Sequence, residues 1–233
     1  MASPGPPTRC GRRRSCWRAT ASRVWVRYCR DTGRRHRRWP GYRARWLDAV
    51  LRAHAELAST HERVYLLGLS LGGVLALAVA ARRSVAGAVL MATPLELRWW
   101  VRWLLPLLEP LVRLVPKSPA IRDPEARSRH PGYRSLPLAA VREMIRLQRE
   151  VGAQLSRVTT PLQLSYSRRD PTVRVSDAER ILRGVSSARR QVRYLSRSAH
   201  GVTVDLEGRE VACVKPSTSC PNSRPGRPVD GSG

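Results

Sequence analysis

Residues 64–81 read Val64-Tyr65-Leu66-Leu67-Gly68-Leu69-Ser70-Leu71-Gly72-Gly73-Val74-Leu75-Ala76-Leu77-Ala78-Val79-Ala80-Ala81, and their reading decides the fold. The first four are a short apolar run of the kind that forms a buried strand. The run from Val74 onward is small and apolar, as in a helix packed against a sheet. Between them lies Gly68-x-Ser70-x-Gly72, which asks for a tight strand-to-helix turn. Glycines two residues either side of Ser70 carry no Cβ, so the turn can press against the neighbouring strand and helix. The helix that follows aims its first amides at Ser70, where they favour developing negative charge. A serine with both flanks of this kind reads as a nucleophile on an elbow.

Outward from the elbow the chain keeps alternating. Trp46, Leu47, Val50, Ala53 and Leu57 recur at helical spacing and predict a helix over 45–58. Val85 to Met91 predicts a buried strand closed by Thr93-Pro94, residues 137–150 a helix, and Pro161 to Tyr166 a strand. Ser176-Asp177-Ala178-Glu179 has the form of a capping box opening a helix over 177–184, and Gln191 to Leu195 predicts the last strand. Such alternation predicts an α/β domain with a mostly parallel sheet covered on both faces.

Residues 95–135 differ, with tryptophans, leucines and prolines and no strand alternation. Trp99, Trp100, Trp103, Leu104, Leu107, Leu108, Leu111 and Leu114 form an apolar stretch interrupted by Pro106 and Pro110, and the two prolines with Arg98, Arg102 and Arg113 argue against full burial. A small cap fits, with Trp99, Trp103 and Leu107 as substrate contacts, since ligand pockets are mostly apolar. A helix lying on a membrane surface is the other reading of the same Trp and Arg content.

The chain has 233 residues, a fit for one large α/β domain, with 43 Lys+Arg against 17 Asp+Glu for a net charge of +26. Residues 1–45 hold fourteen Arg and a single acid, Asp31. The expected organisation is a basic, atypical, disordered segment over 1–44, a core over 45–212 and a disordered Pro/Ser/Gly-rich tail over 213–233. The arginine runs would attract phosphate, but no binding fold accompanies them and no specific nucleic acid is expected. All five cysteines (Cys10, Cys16, Cys29, Cys213 and Cys220), an odd count, lie in the terminal segments without zinc-type spacing. No run of 18 apolar residues exists and the first 30 lack a secretory apolar core, which predicts a cytoplasmic protein.

A nucleophilic serine needs a base, and the base an orienting carboxylate. Of five histidines, His36 falls in the arginine run, His54 on the exposed side of a helix, His61 in a loop and His130 in the irregular segment. His200 directly follows the last strand. Asp170 follows the strand before it, at the sheet edge where ligands and catalytic groups of open α/β sheets collect. The order Ser70, Asp170, His200 is the hydrolase order.

VYLLGLSLGGVLAL, VLMATPL, GYRSLPLAAVREM, the Asp170 turn and SAHGVTVDLE resemble the carboxylesterase and monoacylglycerol-lipase group of the α/β-hydrolase superfamily, over about residues 42 to 211. The resemblance implies a doubly wound sheet with a small helical cap. It makes Ser70 the nucleophile, Asp170 the acid, His200 the base and the Leu71 backbone N–H one oxyanion donor. It also implies a small-molecule ester substrate, an acyl-enzyme, no cofactor and no metal, to which the Trp and Arg content of the cap adds weak membrane-surface contact. Two departures stand out: no His-Gly dipeptide precedes Ser70, and Gly208, Cys213 and a Pro-rich tail stand where the group has a closing helix. The N-terminal strands are therefore expected to be incomplete, as a shifted reading frame would leave them. The rival expectation is a catalytically impaired hydrolase-like protein without a complete oxyanion hole. The oligomeric state is not legible in the sequence.

Overall fold

A computed structural model describes residues 41–117, 119–130, 135–208 and 211. The basic segment expected over 1–44 lies almost entirely outside these residues, as do the tail and all five cysteines. The first helix, α1, spans Tyr42–Ala58 and so begins three residues earlier than its periodicity suggests. Tyr42 and Trp46 extend its apolar stripe by one turn, their rings 5.7 Å apart. Its stripe also includes His54, which is buried with Nε2 3.2 Å from the Ser84 carbonyl oxygen. The expected exposed position of His54 is thus corrected: the helix buries a histidine because a backbone carbonyl is there to partner it.

Four parallel strands form the central sheet in the order β1-β2-β5-β6: β1 Tyr65–Leu69, β2 Gly87–Met91, β5 Leu162–Ser167 and β6 Arg190–Leu195. The registers Leu66↔Ala88 and Leu90↔Leu164 place Leu66, Ala88, Leu90, Leu162, Leu164 and Tyr166 on one face. That face carries the main core, to which α1, α2 (Leu71–Ala80), α5 (Leu138–Ala153) and α6 (Ser176–Gly184) all contribute. Helix α2 is buried from Gly73 to Ala80, which explains its run of small and aliphatic residues without a polar stripe.

The other face is thinner. Leu69, Val89, Met91 and Leu195 meet Val202 and Val211 there, while Tyr65 and Leu67 on β1 are about half exposed among the described residues.

The segment 95–135 also departs from expectation, because it contains a strand. Helix α3 spans Trp99–Leu108 with Pro106 inside it, and β3 (Leu114–Pro116) then pairs antiparallel with β4 (Ser135–Pro137). Three-residue strands are too short for alternation to reveal. Helix α4, Pro124–Ser128, starts as its sequence dictates: Asp123 accepts from the backbone N–H groups of Glu125 and Ala126, and Pro124 takes the first turn. The capping box expected at Ser176 does not form. Ser176 is already helical, and Val175 occupies the cap without a side-chain bond.

The glycines of the elbow divide their work unevenly. A Cβ on Gly68 would lie 2.3 Å from the Gly72 carbonyl oxygen, and one on Gly73 would lie 1.8 Å from Thr93 Oγ1. A Cβ on Gly72 would meet no described atom within 4 Å. Close approach therefore rests on Gly68 and Gly73, and Gly72 serves as the surface that Gly68 touches. Gly73→Ala is expected to lower stability by about 1–3 kcal/mol, as overpacking does. Gly72→Ala should be neutral or stabilising by up to ~1 kcal/mol, because alanine is the better helix former. Urea unfolding of the two variants checks this; equal destabilisation would contradict the division.

Candidate active site

Ser70 directly follows β1 and precedes the first residue of α2. Its backbone has φ 55° and ψ −120°, a sparsely populated conformation for a residue with a Cβ. Strain of this kind costs on the order of 1–3 kcal/mol and persists only where surrounding packing imposes it. Two contacts do so here: Ser70 N–H donates to the Met91 carbonyl at 2.8 Å, and the Gly73 N–H donates to the Ser70 carbonyl at 2.9 Å. Ala92, at the end of the neighbouring strand, also has positive φ, at 43°, and is fully buried. Leu71 is the first helical residue, so its N–H has no acceptor within α2.

Two strands further along the sheet, β5 and β6 end in register at Ser167↔Leu195. Asp170 follows the first and His200 the second. The Asp170 side chain is 1% exposed and both its oxygens are engaged. Oδ1 accepts from the backbone N–H groups of Thr172 and Val173 at 2.7 and 3.0 Å, and Oδ2 lies 2.8 Å from His200 Nδ1. An ionised carboxylate only accepts, so Nδ1 carries the proton of a neutral His200 and Nε2 keeps a lone pair. The position of Asp170 before Pro171 gives the turn and the buried carboxylate in one residue.

The structure therefore brings together Asp170 and His200. Ser70 is held at the C-terminal end of the same parallel sheet, and no hydrogen bond joins it to His200 among the described residues. Trp99, Trp103 and Leu107 share one side of α3 at intervals of four, with exposures of 68%, 78% and 66%. They line neither of two cavities beside the cap; one of these, of about 720 Å³, lies between α3 and α5 and is bounded by Leu105, Pro106, Leu138 and Ile145 together with several arginines. Leu105 is the α3 residue that anchors the cap, 5% exposed against Leu138 and Ile145. His61 sits in its expected loop, and His130 is exposed. No group of three or more His, Cys, Asp or Glu suited to a metal occurs among the described residues, and no helix there is long and apolar enough to cross a membrane.

Sequence reasoning missed the groups that hold this site. Tyr166 of β5 donates its hydroxyl to the Thr93 carbonyl at 2.6 Å, and burial drives its pKa well above the usual tyrosine range. Gln148 of α5 donates to the Pro94 carbonyl at 3.0 Å. Asp177 of α6 lies buried facing the backbone amides of Leu95 and Glu96, at the root of the cap. Nothing in the spacing of these residues signals such contacts, which depend on partners more than 50 positions away.

The family described as Hydrolase_4 (serine aminopeptidase, S33) matches residues 33–207. The chain is 23% identical over 163 residues to the thermostable monoacylglycerol lipase of Bacillus sp. (strain H-257), covering 70% of this chain and 64% of that protein. It thus spans a little under two thirds of the length of that relative. Among solved structures, one from work on the metagenome-derived lipolytic enzymes LipS and LipT aligns with a TM-score of 0.68 at 22% identity, over 72% of this chain and 69% of that one. The monoacylglycerol lipase of Paleococcus ferrophilus aligns with a TM-score of 0.60 at 15% identity, over 70% and 71% of the two chains. These likenesses establish the α/β-hydrolase fold.

Burial raises the Asp177 pKa from 3.8 to about 6, against the opposing pull of the Leu95 and Glu96 amides and of Arg180. The folded state thus holds this proton more tightly than the unfolded chain does. Its contribution is fully present below pH 3.8 and is lost as pH rises through about 6. Asp177→Asn should therefore gain stability relative to the parent between pH 4 and 7, by up to about 3 kcal/mol. Chemical denaturation at stepped pH measures the difference; a constant difference across that range would contradict it.

Proposed function

Because the chain belongs to the Hydrolase_4 (serine aminopeptidase, S33) family, we propose that it is a serine hydrolase of carboxylic esters, acting on short- to medium-chain esters or monoacylglycerols. The observation that carries this reading is the His200–Asp170 contact at 2.8 Å, made at the strand ends of a sheet whose first described strand ends in the Ser70 elbow. The lipolytic names borne by the relatives support the choice of ester over other acyl substrates.

In this mechanism His200 Nε2 removes the hydroxyl proton as Ser70 Oγ attacks the ester carbonyl carbon. The negative charge that develops on the carbonyl oxygen is met by the Leu71 N–H and the N-terminal end of α2. Asp170 holds the imidazole by Nδ1 and stabilises its cationic form. The tetrahedral intermediate collapses, the C–O bond to the alcohol breaks, and His200 returns the proton to the departing alkoxide. Water then enters, gives a proton to His200 and attacks the acyl-enzyme; the second intermediate releases the carboxylic acid and restores the Ser70 hydroxyl.

The exposed apolar side of α3, with Trp99, Trp103 and Leu107 flanked by Arg98 and Arg102, is the surface that receives the acyl chain and makes weak contact with lipid. Its tryptophans suit an interface where one end of the ring is wet and the other apolar.

Ser70→Ala should abolish hydrolysis of nitrophenyl esters, and Asp170→Asn should lower kcat by about 10⁴-fold, the cost of losing the correct imidazole tautomer. Trp103→Ala should alter relative rates across a series of acyl-chain lengths while leaving Ser70 reactive. Full turnover by Ser70→Ala, or cleavage of aminoacyl nitroanilides in place of esters, would contradict the proposal. No turnover by the parent chain would return the reading of a non-catalytic scaffold.

A further inference from the structure

The strand β6 ends at Leu195 and His200 follows after four residues, so the position of the base depends on a short loop. Two buried carboxylates hold that loop, each 5% exposed. Glu207 accepts from the backbone N–H groups of Ser196, Arg197 and Ser198 at 3.1, 3.0 and 2.7 Å, and its own N–H donates to Ser198 Oγ at 3.0 Å. Asp205 Oδ2 accepts from the Ala199 N–H at 2.6 Å. Four consecutive amides leading to His200 are thus gathered by two side chains that come after it in sequence.

Asp205 also faces the cap. Its carboxylate accepts from the Arg122 N–H at 3.0 Å and the Asp123 N–H at 2.8 Å, in the stretch that runs from β3 to α4. Gly201 completes this junction: its N–H donates to the Ala120 carbonyl at 3.0 Å, and a Cβ there would lie 2.7 Å from Ile121 Cγ1. Burial alone would raise the pKa of either carboxyl. The amides of Ala199, Arg122 and Asp123 on Asp205, and of Ser198, Ser196 and Arg197 on Glu207, outweigh it and hold both below their ordinary values. Both groups are therefore ionised at neutral pH, when each accepts at every lone pair offered to an N–H.

We propose that Asp205 and Glu207 are positioning residues for His200: Glu207 fixes the loop that presents the imidazole to Asp170, and Asp205 fixes the same loop to the foot of the cap. The proposal rests on the reading of His200 as the general base. It assigns the two residues different effects. Glu207 acts on the base alone, so its loss reduces the chemical step. Asp205 is shared by base and cap, so its loss reduces the chemical step and loosens substrate binding together.

The test uses the full chain with Glu207→Gln and Asp205→Asn, which keep shape and replace acceptor oxygens by an amide NH₂ that opposes the loop amides. Two readouts are taken: nitrophenyl-ester kinetics, and the downfield proton resonance of His200 Nδ1–H, identified by its loss in His200→Gln. Glu207→Gln is expected to lower kcat by about 100-fold, the scale of a misplaced catalytic group, with KM changed less than about 3-fold. Asp205→Asn is expected to lower kcat and raise KM. In both, the Nδ1–H resonance should shift or broaden while cooperative unfolding is retained. Should Glu207→Gln fail to fold, Ser198→Ala removes the reciprocal acceptor of the Glu207 N–H and is expected to move the resonance in the same direction. An unchanged resonance and unchanged kcat in a folded variant with lowered melting temperature would overturn the proposal. A resonance that depends on Asp170 and Glu207 in a protein that hydrolyses no ester would sustain the positioning role and defeat the proposed function instead.

Discussion

No side chain fits between Gly68 and Gly72, nor between Gly73 and Thr93, and the site is built outward from those two approaches. The first folds the end of β1 back against the start of α2 and leaves Ser70 at a backbone conformation that strand and helix together impose. The second seats α2 on Thr93, whose carbonyl accepts the Tyr166 hydroxyl of β5. Since β5 continues into the Asp170 turn, the elbow and the carboxylate are joined through a short series of buried contacts. His200 then meets Asp170 because β5 and β6 end in register.

Charge plays a smaller part than the composition suggests. About half of the net charge of +26 lies outside the described residues, and the ion pairs within them lie mostly at the surface, such as Arg52–Asp48 and Arg129–Glu125. Pairs of that kind contribute about 0–1 kcal/mol each. The arrangement that joins Arg43 and Arg82 to Glu150 links α1, the turn that ends α2, and α5, and is less exposed. Even so, the helices it links already share the main core, in which Leu77, Leu90, Leu147, Leu164 and Ile181 are fully buried. Burial of apolar surface, at roughly 25 cal/mol per Å², is the larger contribution.

What the sequence revealed was local in origin. The elbow, the four sheet strands and the helices after them are each encoded by contiguous residues, and the order of Ser70, Asp170 and His200 along the chain follows from where those strands end. What it concealed depends on partners distant in sequence. His54 is buried because Ser84 offers a carbonyl, and Asp177 turns toward Leu95 and Glu96 rather than capping with its neighbours. The short hairpin β3–β4 pairs residues 114–116 with 135–137, and three residues carry no period. The acidic pair Asp205 and Glu207 was visible in SAHGVTVDLE, but only the folded loop gives those carboxylates their amides.

Labelling with a fluorophosphonate, followed by peptide mass spectrometry, tests most directly whether this scaffold activates its serine. A single adduct on Ser70 is expected in the parent chain, formed at a rate reduced by orders of magnitude in His200→Ala. An adduct on another serine, or labelling of Ser70 at the same rate without His200, would contradict the account.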